Sequence, residues 1–214
     1  MSEQPLRIAV LLSGTGRTLS NLIERTAQNG LAIDIRLVIA SKLGIRGLTI
    51  AENHGIPTAT IQRRDYESVA AFSDALTESL PLDEVDVVVM AGFLQLYRLP
   101  EQLRGRVINI HPSLLPLFGG QGFYGHHVHR AVIESGVRVS GCTVHFVDNE
   151  YDTGPIIAQR TCDVHPSDTA DTLAARVFEV ECDLLPTVLA WLQRGWVRLD
   201  AGKPVFDPRT AASE

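Results

Sequence analysis

"LRIAVLLSGTGRTLSNLIERTAQNG", residues 6–30, decides the fold class. Leu6 to Leu12 is an apolar run that stops at Ser13-Gly14. Beyond Gly16, Leu19, Leu22 and Ile23 recur at helical spacing, and Gly30 can supply a left-handed stop. A strand that passes through a glycine-rich turn into a helix is the opening half of a βαβ unit.

Outward from it the alternation continues. IDIRLVIA (33–40) predicts a second strand, RGLTIAENHGI a short helix, and TATI a brief strand. Asp65 is expected to cap a helix carrying Val69, Phe72 and Leu76 on one face. VDVVVMA (85–91), apolar on both faces, predicts a central parallel strand and RVINI (106–110) another. GHHVHRAVIESG predicts a helix ending at Gly136. Then the texture changes. SGCTVHFVD (140–148) alternates, and GPIIAQRTCDV (154–164) follows after a turn of a few residues, which predicts an antiparallel pair. A long helix is expected from Ser167, bent at Pro186, and from WVRL onward an edge hairpin and a frayed end. The expectation is one α/β domain spanning residues 1–214, a mostly parallel sheet flanked by helices with an antiparallel C-terminal portion.

The 214 residues, 45% hydrophobic and 21% charged, suit a single compact core. A net charge of −6 argues against a general basic grip on nucleic acid or anionic membrane. The N-terminus has no basic region ahead of its apolar run, which breaks at Ser13-Gly14, so a soluble cytoplasmic protein is expected. Cys142, Cys162 and Cys182 are too far apart for a C-x-x-C site and are expected to be free core thiols.

Three polar clusters carry chemistry. In SGTGRTLSN (13–21), Gly14, Thr15 and Gly16 bring backbone amides together at a helix N-terminus, with Arg17 and Thr18 as added donors, an arrangement suited to a phosphate. The same glycines equally suit a tight strand-to-helix turn with no ligand. A dinucleotide site is disfavoured, because Leu19 replaces the third glycine and Asp34 lies at the wrong end of its strand. In RVINIHPSLLP (106–116), Asn109 and His111 share one strand face at its carboxyl end, where ligands of open α/β sheets collect. In VDNEYDTGPII (147–157), Thr153-Gly154-Pro155 fixes the turn that carries Asp152. A carboxylate beside an imidazole raises the imidazole pKa, although spacing leaves open whether Asp152 reaches His111. His145 faces away from Cys142, Val144 and Phe146, toward the same cleft or into packing; His145 and Ser113 are candidates for supporting roles. His126, His127 and His129 read as solvated helix surface, and no metal site is expected. No G-x-S-x-G elbow occurs, so the substrate must bring the nucleophile while the protein moves protons and stabilises charge.

NIHPSLLP (109–116), GCTVHFVDNEYDTGPIIAQ (141–159), SGTGRTLSN (13–21) and VVMAGFLQL (88–96) together resemble the phosphoribosylglycinamide formyltransferases. The resemblance runs from the first strand to the last long helix and implies a Rossmann-like formyltransferase domain. It also implies transfer of the formyl group of 10-formyltetrahydrofolate to the amino group of glycinamide ribonucleotide. On it, Asn109 and His111 stabilise the tetrahedral oxyanion, and Asp152 raises the imidazole pKa and helps to relay the proton. Gly14 to Thr18 hold the phosphate and Glu181 meets the ribose hydroxyls; the residue-level alternative for Glu181 is a helix-surface acid. Leu94, Gln95, Leu96 and Tyr97 line the pterin pocket, with Asn109 beside them and Asp148, Asn149, Glu150, Tyr151 and Asp152 opposite. The resemblance implies no metal, no nucleic-acid or membrane partner, and a monomer or homodimer.

The sequence departs from the family in three places: Arg17-Thr18-Leu19 stands for S-N-L, LFGGQGFYGHH (117–127) is long and glycine-rich, and the arginine that some members carry on the helix after the short strand has no clear counterpart near Val69. Methionyl-tRNA formyltransferase would call for a further domain and a basic surface. A formyltetrahydrofolate deformylase, which would call for an N-terminal regulatory domain, and a non-catalytic nucleotide- or folate-binding module are the remaining alternatives.

Overall fold

A computed structural model describes residues 4–28 and 31–212. Seven strands form one sheet in the order β3-β2-β1-β4-β5-β6-β7. They are β1 (Leu6–Leu12), β2 (Ile33–Ala40), β3 (Thr58–Thr60), β4 (Val87–Ala91), β5 (Val107–His111), β6 (Val139–Phe146) and β7 (Ile156–Asp163). Pairing is parallel from β3 through β5 and antiparallel at β5–β6 and β6–β7, the mixed sheet the sequence predicts. The chain winds outward from β1 through β2 to β3, then returns to place β4 on the other side of β1. That reversal opens a crevice at the carboxyl ends of β1 and β4, the usual place for a ligand.

Strand alternation explains the two cores. Ile8, Val10 and Leu12 face one side with Leu19, Leu22, Val128, Leu185 and Val188. Ala9 and Leu11 face the other with Phe72, Leu76, Val88 and Tyr97. Helices α1 (Arg17–Ala27), α2 (Arg46–Asn53), α4 (His126–Ser135) and α5 (Ala170–Gln193) supply residues to the first core, and α3 (Val69–Glu78) to the second.

Four local expectations change. Ser68, not Asp65, caps α3, its hydroxyl accepting from Ala71 N at 3.1 Å, while Asp65 sits in a preceding 3₁₀ turn. α5 starts at Ala170 behind Thr169 rather than at Ser167, because Thr169 and Thr172 satisfy each other's backbone amides in a capping box. The connection from β6 to β7 runs over residues 147–155, longer than a tight turn. The terminal hairpin, β8 (Val197–Asp200) with β9 (Lys203–Phe206), forms its own two-stranded sheet instead of extending an edge. Pro186 is buried inside α5, which continues through it. Of the cysteines only Cys142 is buried; Cys162 and Cys182 are half-buried, and all three are free. The stop at Gly30 falls outside the described residues, while much of the end expected to fray is ordered, Pro208–Ala212 forming a 3₁₀ helix. Among the described residues no helix is long and apolar enough to cross a membrane.

Candidate active site

Asn109 and His111 end β5, and the antiparallel register sets Asn109 opposite His145 and His111 opposite Thr143. The 147–155 loop brings Asp152 to the same spot. Asp148 braces that loop by accepting from Thr153 Oγ1 at 2.9 Å and Glu150 N at 3.1 Å, and Asn149 Oδ1 accepts from Leu99 N at 2.8 Å. Gly154 is needed for the approach, because a Cβ there would overlap the Phe146 carbonyl oxygen. Asp152 itself takes a left-handed φ of 58°, uncommon for a non-glycine residue and held by these surroundings. The question left by spacing is answered: His111 Nδ1 lies 3.5 Å from Asp152 Oδ2, and Asn109 Nδ2 lies 3.3 Å from Asp152 Oδ1.

Backbone groups complete the cluster. His111 Nε2 is 2.9 Å from Phe118 O, and Gly120 N donates to Asp152 Oδ2 at 2.9 Å. A carbonyl can only accept, so Nε2 carries the imidazole proton and Nδ1 is the nitrogen left to titrate. Buried Ser113 donates to Leu117 O at 2.6 Å and so shapes the turn that presents Phe118. Burial pushes the His111 pKa below its usual 6.5 and outweighs the pull of Asp152, which reverses the rise expected from the sequence. Burial works to raise Asp152, but His145 and His111, whenever they carry a proton, and the Gly120 amide hold it below the usual carboxylate range. At neutral pH the arrangement is therefore a neutral imidazole beside an ionised carboxylate, a pair that can take up a proton.

Two cavities meet here. The larger, about 520 Å³, has Arg17, Thr18, Phe178 and Glu181 among its walls, together with His111 and the 120–126 segment. The smaller, about 40 Å³, is lined by Gln95, Leu96, Tyr97, His145, Glu150 and others. Phe93, Asn109, Tyr151 and Asp152 belong to both walls. Arg17 lays its guanidinium 3.7 Å from the centre of the Phe178 ring. Glu181 is no surface acid: it is half-buried on the cavity wall, and burial pushes its pKa up to about 7 against the opposing charge of Arg17.

Other candidate residues fall differently. Gly14, Thr15 and Gly16 do not line either cavity. Gly16 has φ 73°, and a Cβ there would stand 2.6 Å from the Gly47 Cα, so α2 packing accounts for this glycine. Ser13 ties the turn to the next strand end: its N donates to Gly92 O at 3.0 Å and its Oγ accepts from Leu94 N at 2.9 Å. Leu94 lines the larger cavity; Asp148 and Asn149 line neither. Tyr97 is fully buried with its hydroxyl 2.9 Å from Thr77 Oγ1, and burial pushes its pKa to about 12.

His126 and His127 are exposed, but His129 is not the solvated surface expected of it: it is 5% exposed and lines the larger cavity, and burial lowers its pKa to about 4. Among the described residues no group of three or more His, Cys, Asp or Glu is arranged to hold a metal. Sequence reasoning missed Phe118, Gly120 and Phe178. The first two act through their backbones, which leaves no side-chain signal, whereas Phe178, three residues before Glu181 on a helix, shares its face.

The family model described as Formyl transferase matches residues 6–189. The chain belongs to the formyl transferase family. Within that family its relatives include phosphoribosylglycinamide formyltransferases. The chloroplastic phosphoribosylglycinamide formyltransferase of Vigna unguiculata is 41% identical over 211 residues, covering 97% of this chain and 68% of the relative. The phosphoribosylglycinamide formyltransferase of Coxiella burnetii, solved in complex with CHES, superimposes with a TM-score of 0.85 at 34% identity, covering 95% of this chain and 94% of that one. The trifunctional purine biosynthetic protein adenosine-3 of Drosophila melanogaster is 40% identical over 199 residues; that match takes in 91% of this chain and spans only 14% of the relative. The family and mixed-sheet fold expected from the sequence agree with these matches.

Proposed function

We propose that this formyl transferase chain moves the formyl group of 10-formyltetrahydrofolate to the amino group of glycinamide ribonucleotide, a step of purine biosynthesis. The observation that carries the reading is the shared wall: Asn109 and Asp152 border both cavities, and His111 Nδ1 stands 3.5 Å from Asp152. Two substrates approaching from opposite sides would react at that wall. The ribonucleotide takes the larger cavity, its phosphate at the start of α1 with Arg17 and Thr18, its ribose hydroxyls at Glu181. The folate lies against Leu94 to Tyr97 and Glu150 to Asp152, on the loop that Asp148 and Asn149 brace.

In this mechanism the amine lone pair attacks the formyl carbon and the carbonyl π electrons move to oxygen. The Asn109 amide donates to that oxyanion, releasing its long contact with Asp152. The proton leaving the attacking nitrogen passes by way of Asp152 to His111 Nδ1, and the resulting imidazolium faces both carboxylate and oxyanion. Collapse of the intermediate breaks the bond from the formyl carbon to N10, and the proton goes to N10. The products are formylglycinamide ribonucleotide and tetrahydrofolate, and the pair returns to its starting charge.

The whole chain acts in this reading as one domain, a monomer or homodimer in the cytoplasm, although the Vigna relative is named chloroplastic. The test mixes the purified chain with both substrates and follows folate absorbance and product mass. Formyl transfer that requires the ribonucleotide supports the proposal; tetrahydrofolate release without it means a deformylase; no release means a binding module.

A further inference from the structure

His145 lies directly across the ladder from Asn109, and its ring is 2% exposed. Its Nδ1 is 2.9 Å from Phe146 O and its Nε2 is 3.1 Å from Asn109 Nδ2. The Phe146 carbonyl can only accept, so Nδ1 carries the hydrogen and Nε2 presents a lone pair. That lone pair admits only one orientation of the facing amide, with NH₂ toward His145. Its second hydrogen then points toward Asp152 Oδ1 at 3.3 Å. A flipped amide would set its oxygen against the Nε2 lone pair and against the carboxylate, two contacts between acceptors.

We propose that His145 is a positioning residue that holds the Asn109 amide with its donor end toward the reacting oxygen. The proposal rests on the formyl-transfer reading for its kinetic consequence, and the orientation itself stands on geometry. The pairing between β6 and β7 shifts between Val144 and His145, a local irregularity of the kind that re-aims side chains beside active sites. The amide donor is needed only once charge develops on the oxygen, so losing the lock should slow the chemical step and leave substrate binding alone.

The test compares His145→Leu and His145→Gln, each alone and combined with Asn109→Ala. His145→Leu should lower kcat by about 10- to 100-fold, part of what a lost oxyanion donor costs, with KM for both substrates unchanged. His145→Gln keeps an acceptor oxygen and should recover most of the rate, and it carries the comparison if the Leu variant fails to fold by circular dichroism. In the Asn109→Ala background His145→Leu should cost nothing further. An equal fall in both backgrounds, raised KM, or a Gln variant no better than Leu overturns the proposal. A wild-type chain that transfers no formyl group sinks the functional reading instead. Orientation is then read by nitrogen-15 NMR: slow exchange of an Asn109 side-chain amide hydrogen, lost in the His145 variant, supports the lock, and fast exchange in the wild type overturns it.

Discussion

His111 is gripped through Nε2 by a carbonyl and faces Asp152 through Nδ1, so one nitrogen orients the ring and the other handles the proton. Replacing Asp152 by Asn keeps the shape and removes the charge. We expect Asp152→Asn to lower kcat by about 10²–10³, with folate KM little changed, in steady-state assays; an unchanged kcat removes Asp152 from the mechanism. The depressed His111 pKa gives a pH dependence with a definite sign. The working form is neutral, so kcat should hold on the neutral side and fall as the pH drops through a value below 6.5. A rate that climbs on acidification from neutrality would mean that a pre-formed imidazolium is the working form. The trio was legible because Asn109 and His111 share a strand face and Asp152 sits in a fixed turn. The direction of the His111 shift was not, since burial depends on the segment that folds over it.

At the scale of elements, strand and helix periods were plain in the sequence, and their ends were not. Asp65 and Ser68 are both acceptable caps three residues apart, and only the position of Ala71 N selects Ser68. The glycine-rich turn shows a subtler limit: its glycines fitted an anion site and a tight turn equally well. Gly16 answers to a neighbouring helix, with its left-handed φ and its close approach to Gly47. Gly16→Ala should cost about 1–2 kcal/mol from backbone handedness alone, read by urea denaturation, and more from the overlap. By displacing α1 it should also raise the KM for the ribonucleotide. Unchanged stability and KM would mean that the turn absorbs a Cβ and that its geometry matters little.

Across the whole molecule, the winding order was only implicit in the alternating elements, while the meeting of loops 117–125 and 147–155 over one strand end was beyond reach of the sequence. Such long-range closeness comes from packing, not from period. It also has a cost. Glu181, with a folded pKa near 7 against an ordinary 4.5, opposes folding fully above pH 7 and not at all below 4.5. Glu181→Gln should therefore raise Tm most at alkaline pH, with the gain fading toward pH 4.5, while ribonucleotide KM rises; a gain that grows on acidification would contradict the assignment. The central claim is that two substrates meet at the wall made by Asn109 and Asp152. A crystal structure with glycinamide ribonucleotide and a folate whose N10 is replaced by carbon, so that its formyl group cannot leave, tests it most directly. The account predicts the amine within about 3.5 Å of the formyl carbon, with the formyl oxygen in reach of Asn109 and the amine beside Asp152. A formyl group bound away from that wall, or both ligands stacked in one cavity, would contradict it.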